Sequence, residues 1–299
     1  MSPLRIYLYA FVSMSFWALS FVWYKDAFIS YGPVTIILFR LIISVSILGT
    51  VSLLIRKKLK LQKGDFKLLA ALAFFEPFCY FMGEGYGMQY VSPTTGAIII
   101  STIPLLTPFF LAMTGKKENI SILNFAGMGI SFAGIIMVVT GGDDGIVVSF
   151  KGVALLFVAV ISAIFFSIVL KDVGKKYESM VIVFWQNLLA AIMFAPLFII
   201  LEMQSFLSSG HDLKAVEAVL KLGIFPSTVS FLLFIPVVSF LGAVKANMFA
   251  NMIPVVTALF SFMFYGEEFG MVKSLGVVIA VSGLFVSQMK MSGRNLKEV

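Results

Sequence analysis

Two carboxylates, Glu76 and Glu84, stand in the otherwise apolar stretch FFEPFCYFMGEGYGMQY, residues 74–90. At about 100° per residue, Tyr80, Gly83, Glu84 and Gly87 fall within roughly 80° of Glu76 on a helix, so the polar groups share one stripe. Carboxyls placed this way exchange protons or pair with a base. Glu76 is a candidate proton carrier; the alternative is a neutral acid in a static hydrogen bond. Arg40, in FRLIIS, lies at a depth similar to Glu84. An unpaired charge there is costly, so an Arg40–Glu84 ion pair is expected. Asn247 and Asn251 share a stripe with Pro254 and Ala258; they bind a polar solute or bridge helices. Trp17 shares a face with Ser20 and Tyr24, and Trp185, Gln186 and Asn187 interrupt another apolar run. The expected lining of a polar path is therefore Trp17, Glu76, Tyr80, Glu84, Gln186, Asn187, Asn247 and Asn251, with Arg40 as a structural or gating partner. One cysteine, Cys79, and one histidine, His211, supply neither a nucleophile–base pair nor a metal cluster, so no enzyme, cofactor or metal site is expected.

The solvent for the elements that hold these side chains is lipid. Hydrophobic residues make up 60% of the 299 and charged residues 12%, with a mean hydropathy of +1.03. The charged share is about half that of an ordinary soluble domain. The apolar runs are continuous and about 20 residues long, the length of a membrane helix, without the alternation of barrel strands. Ten candidate spans lie near 5–24, 34–55, 67–88, 94–114, 122–140, 152–170, 180–201, 220–241, 245–265 and 272–290. The N-terminal run has no small-residue cleavage site behind it and is taken as an uncleaved first span. With the N-terminus inside, 16 of the 22 Lys and Arg fall in cytoplasmic segments, five fall outside and Arg40 lies within a span. That asymmetry places both termini in the cytoplasm. It also accounts for the net charge of +7 as a topology signal with some attraction to lipid headgroups, so no nucleic-acid partner is expected.

Prolines and glycines recur in register. A shift of 150 residues lays Pro104 on Pro254, Ile103 on Ile253 and Thr107 on Thr257. In the next span, with one residue deleted, Gly127 and Gly134 fall on Gly276 and Gly283. FWALSFVWYK ends at Lys25 and SAIFFSIVLK at Lys171; the third span holds Pro77 and the eighth Pro226 and Pro236. The expected organisation is two five-helix repeats, residues 1–145 and 146–299. An odd number of crossings inverts the second copy. Inverted repeats place a substrate site near the midplane between the halves, at Gly/Pro-interrupted helices. A proline frees a carbonyl and bends its helix, so Pro77, Pro104, Pro226 and Pro254 join Arg40 as expected kink or gating positions. The paired glycines are expected to permit close helix packing.

Several stretches in order carry a family likeness: FRLIIS with Arg40, SPTTGAIIISTIP with small residues ahead of Pro104, and IPVVTALFSFMFYGEEFGMVKSLGVVIAVSGLF. In the last, a mid-helix proline, the pair Gly266 and Glu267, and a glycine-spaced final helix follow one another. With the 5+5 layout, the chain resembles the EamA family of the drug/metabolite transporter superfamily over nearly its whole length. The resemblance implies an all-α integral membrane protein with ten spans, in the plasma membrane (the inner membrane in a bacterium). It implies secondary active transport of small organic metabolites by alternating access, amino acids or related compounds first, with export expected and proton coupling an option. Uptake of a sugar or nucleoside-like solute is the alternative; outside transport, a membrane receptor or scaffold is. Glu267 is expected to serve a loop or cap. The chain has no GxxxxGK[ST] loop, so it is not expected to pump with ATP by itself.

Overall fold

A computed structural model describes residues 2–62, 64–91, 93–115, 121–140, 149–265 and 270–288. Nearly all of these are helical: α1 (Pro3–Ala27), α2 (Pro33–Leu54), α3 (Phe66–Gly87), α4 (Gly96–Met113), α5 (Ile122–Thr140), α6 (Phe150–Lys176), α7 (Ser179–Leu201), α8 (Leu213–Leu241), α9 (Ala243–Phe260) and α10 (Met271–Gln288). Among the described residues, eight of these segments are long and apolar enough to cross a membrane; α5 and α10 carry the shorter apolar helices Ile122–Met137 and Ser274–Ser287. Large apolar side chains such as Phe150, Ile122 and Leu53 are exposed on the outside, which only a lipid solvent tolerates on this scale. The chain is an all-α, multi-pass membrane protein. Gly266 and Glu267 lie outside the described residues.

The connection before α8 differs from expectation. α8 starts at Leu213 rather than near 220, because Asp212 caps it by accepting the Lys214 N–H at 2.8 Å. A carboxylate at this position satisfies an orphan backbone donor and complements the helix dipole. Glu202, at the end of α7, does the same for a neighbour. Its carboxylate accepts Val34 N at 3.1 Å, Thr35 N at 2.7 Å and Thr35 Oγ1 at 2.7 Å at the start of α2.

Each expected kink proline sits at an interruption. In α3 the helix opens into a π-turn over Phe74–Cys79, and Glu76, just before Pro77, is extended (φ −146°, ψ 117°). In α8 a π-turn runs over Phe225–Ser230 and contains Pro226. α4 is broken by a turn at Ser101 and Thr102, ahead of Pro104. α9 tightens to a 3₁₀ turn at Met248–Asn251, ahead of Pro254. Carbonyls released by such breaks find no water in lipid and must be met by protein donors. Around α8 they are. Trp17 Nε1 donates to Pro226 O at 3.3 Å, Ser44 Oγ to Ser227 O at 3.2 Å and Asn187 Nδ2 to the same oxygen at 3.0 Å. Ser13 and Ser230 exchange hydrogen bonds of 2.9 and 3.1 Å between hydroxyls and backbone carbonyls. α1, α2 and α7 are thereby pinned to the bulge.

α5 and α10 cross through the paired glycines. A Cβ on Gly127 would lie 2.7 Å from Gly283 O, and one on Gly134 would lie 2.7 Å from Gly276 O. Asn124 Nδ2 donates to Ser287 O at 2.5 Å and Ser131 Oγ to Ala280 O at 2.9 Å. Residue numbers rise along one helix as they fall along the other, so the two run antiparallel, each glycine opposite the other helix's backbone. This is the close packing that small residues permit in membranes. We predict that Gly134→Val destabilises the protein by on the order of 1–3 kcal/mol, the cost of overpacking. Gly129→Val should not, because a Cβ at Gly129 meets nothing within 4 Å. Thermal unfolding of both variants in one detergent tests this; equal losses would rule out the tight crossing.

Candidate functional site

The interruptions surround a cavity of about 40 Å³ between the two halves of the chain, room for about three waters. The first half supplies Trp17 and Ser20 from α1, Arg40 from α2, and Glu76, Tyr80, Phe81 and Glu84 from α3. The second half supplies Ser167 from α6, Phe234 from α8 and Asn247 from α9. Of the α3 stripe, Glu76, Tyr80 and Glu84 thus face the cavity, whereas Gly83 and Gly87 pack against α6. Both carboxylates are buried, at 6% and 3% exposure, although the helix is broken at Glu76.

The charges are arranged differently from the expected ion pair. Arg40 Nε donates to Ser227 Oγ at 2.7 Å and Nη1 to Tyr24 OH at 3.0 Å. The guanidinium carbon sits 4.1 Å from the centroid of the Phe81 ring, where the ring face stabilises a desolvated cation. Glu84 accepts the Tyr80 hydroxyl at 3.1 Å. Among the described residues no Arg40–Glu84 contact falls within salt-bridge distance. The reason is competition: hydroxyl acceptors from the α8 π-turn and from Tyr24 lie closer to the guanidinium than the carboxylate does. Among the described residues no hydrogen bond or ion pair engages the Glu76 carboxyl, which faces the cavity.

Of the other expected lining residues, Trp17 faces the cavity, but its N–H is spent on Pro226 O and its ring meets Phe231 and Phe234 edge-on at 5.3 and 4.9 Å. Asn247 also faces it, yet bridges helices: it accepts Ser167 Oγ at 2.9 Å and donates to Thr107 Oγ1 at 3.0 Å. Three residues lie away from the lining. Asn187 donates to Ser44 Oγ at 2.8 Å and to Ser227 O, holding the bulge of α8. Gln186 is fully buried with neither amide atom partnered by protein, and Asn251 is buried with Oδ1 unpartnered. Sequence reasoning missed Ser167, Ser227 and Phe81. Phe81 is on the Glu84 side of the helix but carries no polar signal, and Ser227 meets Arg40 from within the π-turn of α8, which helical periodicity does not foresee.

The two halves enclose a polar-lined cavity within a multi-pass membrane protein. The model of the EamA-like transporter family matches residues 4–140 and again 150–289, so the chain belongs to that family and is a transporter of the plasma membrane. It is similar to the uncharacterized transporter YetK of Bacillus subtilis, 26% identical over 77% of this chain and 70% of that one. It is also similar to the uncharacterized transporter YdfC of the same organism, 23% identical over 93% and 89%. An uncharacterized transporter of Archaeoglobus fulgidus is 24% identical over 92% and 95%. A protein crystal structure shares the fold with a TM-score of 0.78 at 15% identity, covering 96% of this chain and 97% of that one.

The Asn187 hydrogen bonds make a scaffold role testable. Asn187→Ala should cost about 1–3 kcal/mol of stability, because Ser227 O is deprived of a buried donor, while the KM for transported solute stays at the native value. A raised KM with unchanged unfolding would return Asn187 to the solute path.

Proposed function

We propose that this transporter moves small organic metabolites, amino acids or related compounds, out of the cell by secondary active transport with alternating access. The observation that carries this reading is the free carboxyl of Glu76 in the same cavity as Arg40. A zwitterion offers an ammonium to the first and a carboxylate to the second, whose remaining N–H groups suit a carboxylate. A carboxyl that faces a cavity holds a proton or a substrate ammonium, not both together, so Glu76 is also the candidate for proton coupling. The antiparallel crossing of α5 with α10, whose glycines match in sequence, supports an inverted arrangement of repeats 1–145 and 146–299, with a midplane site between them. On this reading Trp17 and Tyr80 give the path its aromatic walls and Asn247 fixes its shape. The interruptions at Pro77, Pro104, Pro226 and Pro254 are where helices bend as it opens.

Metabolite profiling of cells and medium tests the proposal. Cells making the native chain should accumulate amino acids or related compounds outside. Equal amounts of Glu76→Gln or Glu84→Gln protein should lower that flux roughly 10–100-fold, the loss expected when a charge-assisted hydrogen bond is removed. Equal export by native and variant proteins would sink the site assignment. Accumulation of a sugar or nucleoside inside the cells would favour uptake, and no change in any solute would favour a receptor or scaffold.

A further inference from the structure

Two tyrosine contacts tie the halves together at opposite faces of the membrane. The Tyr31 hydroxyl, just after α1, is hydrogen-bonded to His211 Nδ1 at 3.0 Å. The Tyr177 hydroxyl, just after α6, donates to the Asp65 carboxylate and accepts the Gln62 N–H at 3.0 Å. Tyr31 and Tyr177 are 146 residues apart, and so are Asp65 and His211. The same interval separates the matched ends of α1 and α6 at Lys25 and Lys171. α3 and α8 begin 147 apart, at Phe66 and Leu213, so the two contacts are repeat equivalents to within one residue. α2 starts beside Tyr31 and ends before Asp65; its 22 residues separate the contacts by about 33 Å.

Each tyrosine belongs to a wider clasp. On the Tyr31 face, Asp212 N donates to Ser30 Oγ at 3.1 Å, Phe206 stacks on Phe39 at 5.1 Å, and Glu202 holds the start of α2. On the Tyr177 face, Lys176 pairs with Asp65 at 2.5 Å, Trp185 Nε1 donates to Leu59 O at 2.9 Å, and Lys57 pairs with Glu178. Phe39 and Trp185 are again 146 apart. In every one of these contacts one partner lies in the stretch 4–140 and the other in 150–289. Lys176 and Tyr177, hydrogen-bonded to Asp65, hold its carboxyl below the usual carboxylate range, so the clasp on that face is charged at neutral pH. That face also carries Arg56, Lys57, Lys58 and Lys60, the positive-inside signature of the cytoplasm.

The cavity between the clasps holds only a few waters, so a solute passes only if the halves part at one face and then at the other. We infer that Tyr31–His211 and Tyr177–Asp65 are the outer and inner latches of the transport cycle, each released when the path opens on its own face. The inference rests on the chain being a transporter but not on which solute it carries.

Access to the cavity from each side tests it without a substrate. Ala250 lines the cavity; Ala250→Cys in a Cys79→Ala background reports access when a membrane-impermeant thiol reagent is applied to intact cells or to inside-out vesicles. Tyr31→Phe should raise the labelling rate from outside roughly five-fold and leave the inside rate unchanged, the population change expected for loss of one hydrogen bond. Tyr177→Phe should do the reverse. Glu202→Gln and Lys57→Met, which weaken the same clasps through other groups, should shift labelling in the same two senses and serve where a tyrosine variant fails to fold. Unchanged rates in all four variants, with the reporter reactive in detergent, would overturn the inference. So would a change on both faces from a single variant. Side-specific labelling in a chain that moves no amino acid would leave the latches standing and remove the proposed solute.

Discussion

A released backbone carbonyl has no water to turn to inside a bilayer, and the architecture of this protein follows from how that demand is met. Prolines and π-turns break α3 and α8 at the level of the cavity. Around the break in α8, the polar side chains of three other helices are committed to carbonyls: Trp17 of α1, Ser44 of α2 and Asn187 of α7. The bulge in turn swings Ser227 toward Arg40 and fixes the guanidinium over Phe81. Satisfying the backbone is thus what positions the buried Arg40 cation. The carboxylates of α3 are left free of it, one accepting from Tyr80 and the other open to the cavity.

This division explains which residues could be read in the sequence. Helical periodicity places Glu76, Tyr80 and Glu84 on one stripe, and all three line the cavity even though the helix is broken at Glu76. The kink prolines are legible for a similar reason: lack of an N–H is a property of the residue itself. The Arg40–Glu84 pair is not legible, because it loses to Ser227 and Tyr24, and nothing in a linear pattern says which hydroxyl a neighbouring bulge presents. Asn187 looks like a solute ligand for the same reason that it holds the scaffold: both jobs require an amide inside a span. Only the position of a spare carbonyl on α8 separates them, and that depends on tertiary structure.

The two halves share a frame but not a chemistry. Pro77 and Pro226 are 149 residues apart, and at that interval Glu76 corresponds to Phe225, Tyr80 to Val229 and Glu84 to Leu233. All three polar groups of the first copy are thus apolar in the second. Phe225 stacks against Phe16 at 4.8 Å and leans on Trp23 at 5.8 Å, so the second copy of the position packs where the first carries a carboxyl. Charge on one side of a pseudo-symmetric cavity gives the site a direction that a duplicated lining would lack.

Two of the seams that join the halves differ in chemistry. α5 and α10 meet backbone to backbone through glycine, an approach so close that a small separation undoes it, because dispersion falls off within an ångström. α2 and α7 also run antiparallel, with Thr35 against Glu202, Ser44 against Asn187 and Lys57 against Glu178. The middle of that seam is buried and hydrogen-bonded to the α8 bulge, and its Thr35–Glu202 end is buried too, whereas Lys57 and Glu178 at the other end are exposed, where water replaces a broken bond at little net cost. The exposed Lys57–Glu178 end therefore parts at less cost than the buried Thr35–Glu202 end, so the two faces of this seam are not equivalent. A seam with a buried, hydrogen-bonded middle and a single exposed end is weakest on the face that carries Lys57 and Glu178.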